Sequence, residues 1–95
     1  MTRQYLAGEL SVLVARVQAV TTSEEAGREA WCLRRAAETQ PLQRLGLVTL
    51  CAMAFTERLC WESLGRGDAI AFERQSAVCG ELYEFGVCAG LFEED

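Results

Sequence analysis

Five cysteines are the residues of this 95-residue chain with the most varied chemistry: Cys32, Cys51, Cys60, Cys79 and Cys88. Structural zinc sites use closely spaced pairs such as C-x2-C, which this sequence lacks. Cys51 and Cys60 are nine residues apart, as are Cys79 and Cys88, so on a helix the two partners would point to opposite sides. A metal site would therefore need thiols from several helices, and we predict none.

Thiol redox chemistry is the other option for these cysteines. Their number is odd and no basic segment followed by an apolar one opens the chain, so we expect buried, reduced thiols in a cytoplasmic protein. Reactive thiols need a nearby positive charge, and Cys32, followed by Arg34 and Arg35, comes nearest to that. Cys88, close to the chain end, is expected to be the most exposed. A thiol-based redox sensor or a metal-binding helical bundle is the alternative function.

Catalytic groups are scarce. The chain has no lysine and no histidine, and the absence of histidine removes both the commonest general acid–base and the commonest metal ligand. The glutamates fall on polar helix faces or near the end of the chain, whereas carboxylate catalysis needs paired acids in a cleft. We therefore predict that the protein is not an enzyme and binds no cofactor. A deep pocket lined by convergent arginines would reopen that question.

The charge distribution argues against nucleic acid and membrane partners. The net charge is −5, and five acidic residues follow the last arginine, Arg74: Glu81, Glu84, Glu93, Glu94 and Asp95. Nucleic acid binding needs clustered positive charge. The longest uninterrupted apolar run, Leu50 to Phe55, is far shorter than the ~20 residues that span a bilayer. Using arginine without lysine or asparagine is typical of a GC-rich genome, so we expect a bacterial source.

Four helices are predicted to organise these residues, at about 3–20, 23–38, 42–64 and 69–87. The first has a regular apolar seam with Val12 and Val14 widening it, and the second begins at a capping-box pattern, Thr22 to Glu25. Pro41 separates the second helix from the third, and Asp68 is expected to cap the fourth. The fold class is all-α, a small antiparallel four-helix bundle that is dimeric. Residues 1–90 form one helical domain, and 91–95 an acidic C-terminal tail.

The third predicted helix has two apolar faces, so it has no fully polar side. One face suits the core of the chain itself, and it gathers Leu42, Leu47, Leu50, Met53, Cys60, Trp61 and Leu64. The other is bracketed by Arg44, Arg58 and Glu62, which is typical of a contact surface, and it gathers Val48, Cys51, Phe55 and Leu59. Either the first helix or a second copy of the protein could cover this second face.

The function predicted by elimination is a small, non-enzymatic accessory or regulatory protein that acts through protein–protein contacts, as a homodimer. Its partner is a second copy of itself or another protein. The interface is expected at Val48, Cys51, Phe55 and Leu59, with Leu91 and Phe92 as secondary contacts.

Overall fold

Four helices form the described part of the chain, residues 3–92 of the computed structural model. They are α1 (Arg3–Ala19), α2 (Glu24–Thr39), α3 (Leu42–Gly65) and α4 (Ala69–Cys88), packed in a bundle-like arrangement. Each end lies within one residue of its predicted position. The all-α prediction is therefore confirmed for these residues, whereas the dimer stays a prediction.

Side-chain caps start α2 and α4. The Ser23 hydroxyl accepts a hydrogen bond of 3.1 Å from the Ala26 N–H, so the cap lies one residue later than the Thr22 of the predicted capping box. The Asp68 carboxylate accepts one of 3.1 Å from the Ala71 N–H, as predicted. Each cap satisfies a backbone donor that the first helical turn leaves without a partner.

All four helices contribute to one hydrophobic core. From α1 and α2 come Leu6, Ala7, Leu10, Val14, Val17, Ala26, Ala30 and Ala37, and from α3 and α4 come Leu45, Val48, Ala52, Phe55, Leu59, Val78 and Leu82. The buried residues of α2 are all alanines, and its larger Leu33 packs against the core while only half-buried. Val14 is buried as predicted. Val12 is 62% exposed, so the expectation that it widens the buried face of α1 was wrong.

The end of the described chain folds back onto the bundle. Gly90, with φ of 70°, reverses the chain, and the Leu91 N–H then donates a hydrogen bond of 2.9 Å to the Gly86 carbonyl. Leu91 packs on the core beside Gly46, and the Phe92 ring centroid lies 6.3 Å from that of Tyr83. The acidic residues of the expected tail, Glu93, Glu94 and Asp95, lie outside the described residues.

Candidate protein-binding surface

The face of α3 that the sequence assigned to an interface is covered by the chain's own helices. Val48, Phe55 and Leu59 belong to the core, with Phe55 only 8% exposed. Arg58, one of the charged residues that border this face, forms an ion pair with Glu29 on α2. The Arg58 guanidinium lies 5.2 Å from the centre of the Phe55 ring and caps it.

The other three predicted contact residues remain accessible to different degrees. Cys51 is exposed and lines a shallow pocket between α2 and α3. Leu91 and Phe92 are half-buried in the turn that follows α4. The structure therefore does not gather the six predicted residues on one surface, and their role in an interface stays a prediction.

The opposite face of α3, assigned from sequence to the core, is exposed. Trp61 is 65% exposed and Leu47 58%, and Leu42, Leu50 and Leu64 are also exposed. Met53 and Cys60 are half-buried against α4. The core assignment of this face was wrong for its five exposed members. The physical reason is that α2 packs on the Phe55 side, where Glu29 pairs with Arg58, while no helix within residues 3–92 covers Trp61.

Six exposed residues of α3 follow a regular helical repeat along this face, and we call them the α3 seam. Its members are Leu47, Leu50, Ala54, Glu57, Trp61 and Leu64, at successive steps of three, four, three, four and three, and all are exposed. A 3–4 repeat keeps apolar side chains aligned toward a neighbouring helix, as in coiled coils. Within the seam, Glu57 alone is charged.

A groove of about 470 Å³ runs between the α3 seam and α4, and we call it the α3–α4 groove. Its walls include Trp61 and Leu64 from α3 and Phe72 and Tyr83 from α4, and most of its surface is apolar. Glu57 is the only charged residue among the described residues that line it. The groove adjoins the α3 seam, so together they make one continuous apolar surface.

Two thiols, Cys60 and Cys79, also line this groove. Burial raises the pKa of both thiols, and the nearby charge of Glu57 raises both further; Cys79 also raises the pKa of Cys60. The Cys79 Sγ atom lies 3.8 Å from the Met53 carbonyl oxygen. Both side chains therefore remain neutral thiols near pH 7, which makes them weak nucleophiles and suits an apolar wall.

The remaining cysteines differ from the expectation of buried thiols. Cys32, Cys51 and Cys88 are exposed, and exposure was predicted for Cys88 alone. All five cysteines are free thiols. Within residues 3–92, no three histidine, cysteine or acidic side chains are grouped so that they could hold a metal ion.

Acidic residues lie in and beside the groove. Besides Glu57, the exposed Glu73 and Glu84 lie on the face of α4 that carries Gly80, which lines the groove. Seven residues before and four residues after Gly80 are helical spacings that return to the same side. No ion pair involves Glu57, Glu73 or Glu84 among the described residues.

The fold and this surface define a class: a small all-helical bundle with one exposed apolar helix face. Comparison with protein-family models, curated proteins and solved structures found no match for the chain. None of the four helices in residues 3–92 is both long enough and apolar enough to cross a membrane.

Proposed function

We propose that this protein is a non-enzymatic accessory or regulatory module that acts by binding protein through the α3 seam and the α3–α4 groove. The observation that carries the proposal is the exposure of the seam, in which Leu47, Leu50, Trp61 and Leu64 are each at least half exposed. Single exposed apolar residues are common on protein surfaces. A continuous apolar line beside an apolar groove is instead typical of interaction sites.

The magnitudes support an interface that uses both parts of this surface. Fully covering one large apolar side chain contributes about 1.5–3 kcal/mol, and these side chains are already half covered. Association costs about 4 kcal/mol or more before any gain is seen. The seam alone is therefore marginal, whereas the seam together with the Phe72 and Tyr83 wall of the groove provides enough apolar surface.

Self-association is one form of this function, and it is the homodimer expected from the sequence. The α3 seam would supply its contacts, because Val48, Phe55 and Leu59 are already in the core. The hydrogen bonds from Arg3 at the start of α1 to the Gln40 carbonyl after α2 support antiparallel packing of these two neighbours. The free thiols support a reducing compartment such as a bacterial cytoplasm.

The thiol-based alternative rests on the shared position of Cys60 and Cys79 in one groove. Their raised pKa values oppose it, since oxidation proceeds through the thiolate. Mass spectrometry after mild oxidation separates the two functions. A defined Cys60–Cys79 disulfide would favour the sensor, and unchanged thiols would favour the binding module.

The test of the proposed function is affinity purification of the tagged protein from its native cells, combined with sedimentation velocity of the pure protein. The informative variants are Leu50→Glu and Trp61→Glu. Val12→Glu is the matched control, since Val12 is equally exposed but lies on α1. We expect the first two variants, and not the control, to lose a bound protein or self-association. Identical behaviour of all three variants and the wild type would contradict the proposal.

A further inference from the structure

We infer that the occupant of the α3 seam and α3–α4 groove is a basic amphipathic helix of another protein. This inference rests on the proposed function and names the chemistry of the partner. The helical spacing of the seam and the acidic residues at the groove support this inference.

The spacing of the seam fits a helix better than an extended strand or a loop. From Leu47 to Leu64 the seam covers 17 residue steps, or about 26 Å at 1.5 Å per residue. An occupant of matching length is a helix of about 18 residues with apolar side chains at i, i+3, i+4 and i+7. Those side chains would contact the seam, and the largest of them would enter the groove beside Trp61 and Tyr83.

The charges favour a basic occupant. Glu57 lies within the seam, so any covering helix passes over it, and a lysine or arginine opposite would pair with it. Glu73 and Glu84 lie further out, where they would face the flank of the same helix. All three acids are exposed and have no ion-pair partner among residues 3–92. A basic helix would supply three partners at once, and the complementary charges would also speed association.

A second copy of the chain fits this surface less well, because no arginine lines the α3–α4 groove, whose charged lining residue among residues 3–92 is Glu57. Arg44 and Arg58 border the α3 seam on its α2 side, one helical turn from Leu47 and Ala54 respectively, and Arg58 is already paired with Glu29 on α2. Arg74 lines a pocket with residues at the end of α1. Two copies joined through the groove would therefore bring the acids of both copies together, with no arginine from the groove walls to offset them, which is unfavourable.

The experiment uses the full-length chain and two synthetic peptides of 18 residues. Both carry leucine in the 3–4 pattern; the other positions are lysine in one peptide and glutamate in the other. Binding is measured by calorimetry at low and at 0.5 M salt. Alkylation of each cysteine, resolved by mass spectrometry, then reports the location. Cys60 and Cys79 line the proposed site, whereas Cys88 lines a pocket with residues of α1 and serves as the internal control.

We expect the lysine peptide to bind, to slow alkylation of Cys60 and Cys79 but not of Cys88, and to bind more weakly at high salt. Replacing Glu57, Glu73 and Glu84 by glutamine should weaken binding about tenfold, the effect of three exposed charge pairs of ordinary strength. The matched control replaces Glu9, Glu24 and Glu25 by glutamine, which changes the net charge equally but leaves the groove acids in place. It should change affinity less than twofold, about the effect of distant, screened charges.

Three results would overturn the inference. They are equal binding of the two peptides, equal weakening by both triple variants, and alkylation of Cys60 and Cys79 unaffected by the lysine peptide. A dimer in sedimentation velocity that Trp61→Glu dissociates would also overturn it, since the second copy would then be the occupant, but it would leave the proposed function intact. Absence of peptide binding, of self-association and of any captured partner sensitive to Trp61→Glu would overturn both.

Discussion

The Ser63 hydroxyl on α3 donates a buried hydrogen bond of 2.7 Å to the Oε1 atom of Gln75 on α4. The amide nitrogen of Gln75 donates a second bond, of 3.0 Å, to the Val20 carbonyl just beyond α1. Arg66 donates to the Ser63 oxygen at 3.2 Å. One fully buried glutamine thus joins α1, α3 and α4, and it fixes how α3 and α4 lie against each other along the groove.

Replacing Gln75 by leucine, which has a similar volume, should destabilise the fold. The Val20 carbonyl and the Ser63 hydroxyl would each lose a buried partner, at a cost of about 1–3 kcal/mol. Urea unfolding followed by circular dichroism measures this. Ser63→Ala combined with Gln75→Leu should cost less than the sum of the single changes, because each removes the same bond. Strictly additive costs would show that the pair is not coupled.

Phe55→Glu and Trp61→Glu place the same charge on opposite faces of α3. Phe55 is in the core, so its replacement buries an unpaired carboxylate and should cost about 3 kcal/mol or more. Trp61 is mostly exposed, and its replacement should change stability by about 0.5 kcal/mol or less. Thermal melts compare the two. A Phe55→Glu variant that melts like the wild type and loses only self-association would instead support the interface predicted from sequence.

Gly46→Ala should lower the melting temperature, although alanine is the better helix former. A Cβ atom at Gly46 would lie 2.6 Å from the Leu91 backbone oxygen, so the turn after α4 would have to move. Gly8→Ala is the matched control on α1, where nothing lies within 4 Å, and it should stabilise by about 0.5–1 kcal/mol. Faster hydrogen exchange of the Leu91 amide should accompany the first change only. Equal stabilisation by both substitutions would contradict the packing of Leu91 on α3.

Glu57→Gln should lower the pKa of Cys60 and of Cys79. The negative carboxylate disfavours the thiolate, so its removal increases the thiolate fraction at any pH below the thiol pKa. Iodoacetamide alkylation at pH 8 should therefore become faster at these two cysteines. Burial, the largest cause of both shifts, persists in the variant, so each pKa stays above its ordinary value. Glu62→Gln is the control, because Glu62 pairs with Arg58 away from the groove; an equal effect there would exclude a direct role of Glu57.

Local signals explain why the helix boundaries could be predicted. Pro41, the glycine of the Gly67 turn and the cap at Asp68 act within a few residues of their own positions. Their effect on the backbone does not depend on what packs above them. The N-cap of α2 is Ser23 rather than the predicted Thr22, and this difference shifts the start of the helix by a single residue.

The roles of the two α3 faces could not be predicted in the same way. Both faces are apolar and both have helical spacing, so a helical wheel separates them without ranking them. The charges beside Phe55 pointed to a surface, yet Arg58 reaches across to Glu29 on α2 and covers the ring. That pair joins residues 29 positions apart, and nothing in the local pattern signals it.

The sequence by itself determined the all-helical class, four helices and their ends, because helix propensity, caps and breaks are local properties of the chain. Only the tertiary structure decided that the Phe55 face is buried, with α2 against it, and that the Trp61 face stays open, with Cys60 and Cys79 in the groove beside it. Which α3 face is buried depends on how the other helices pack against it, and the local sequence pattern of α3 does not contain that information.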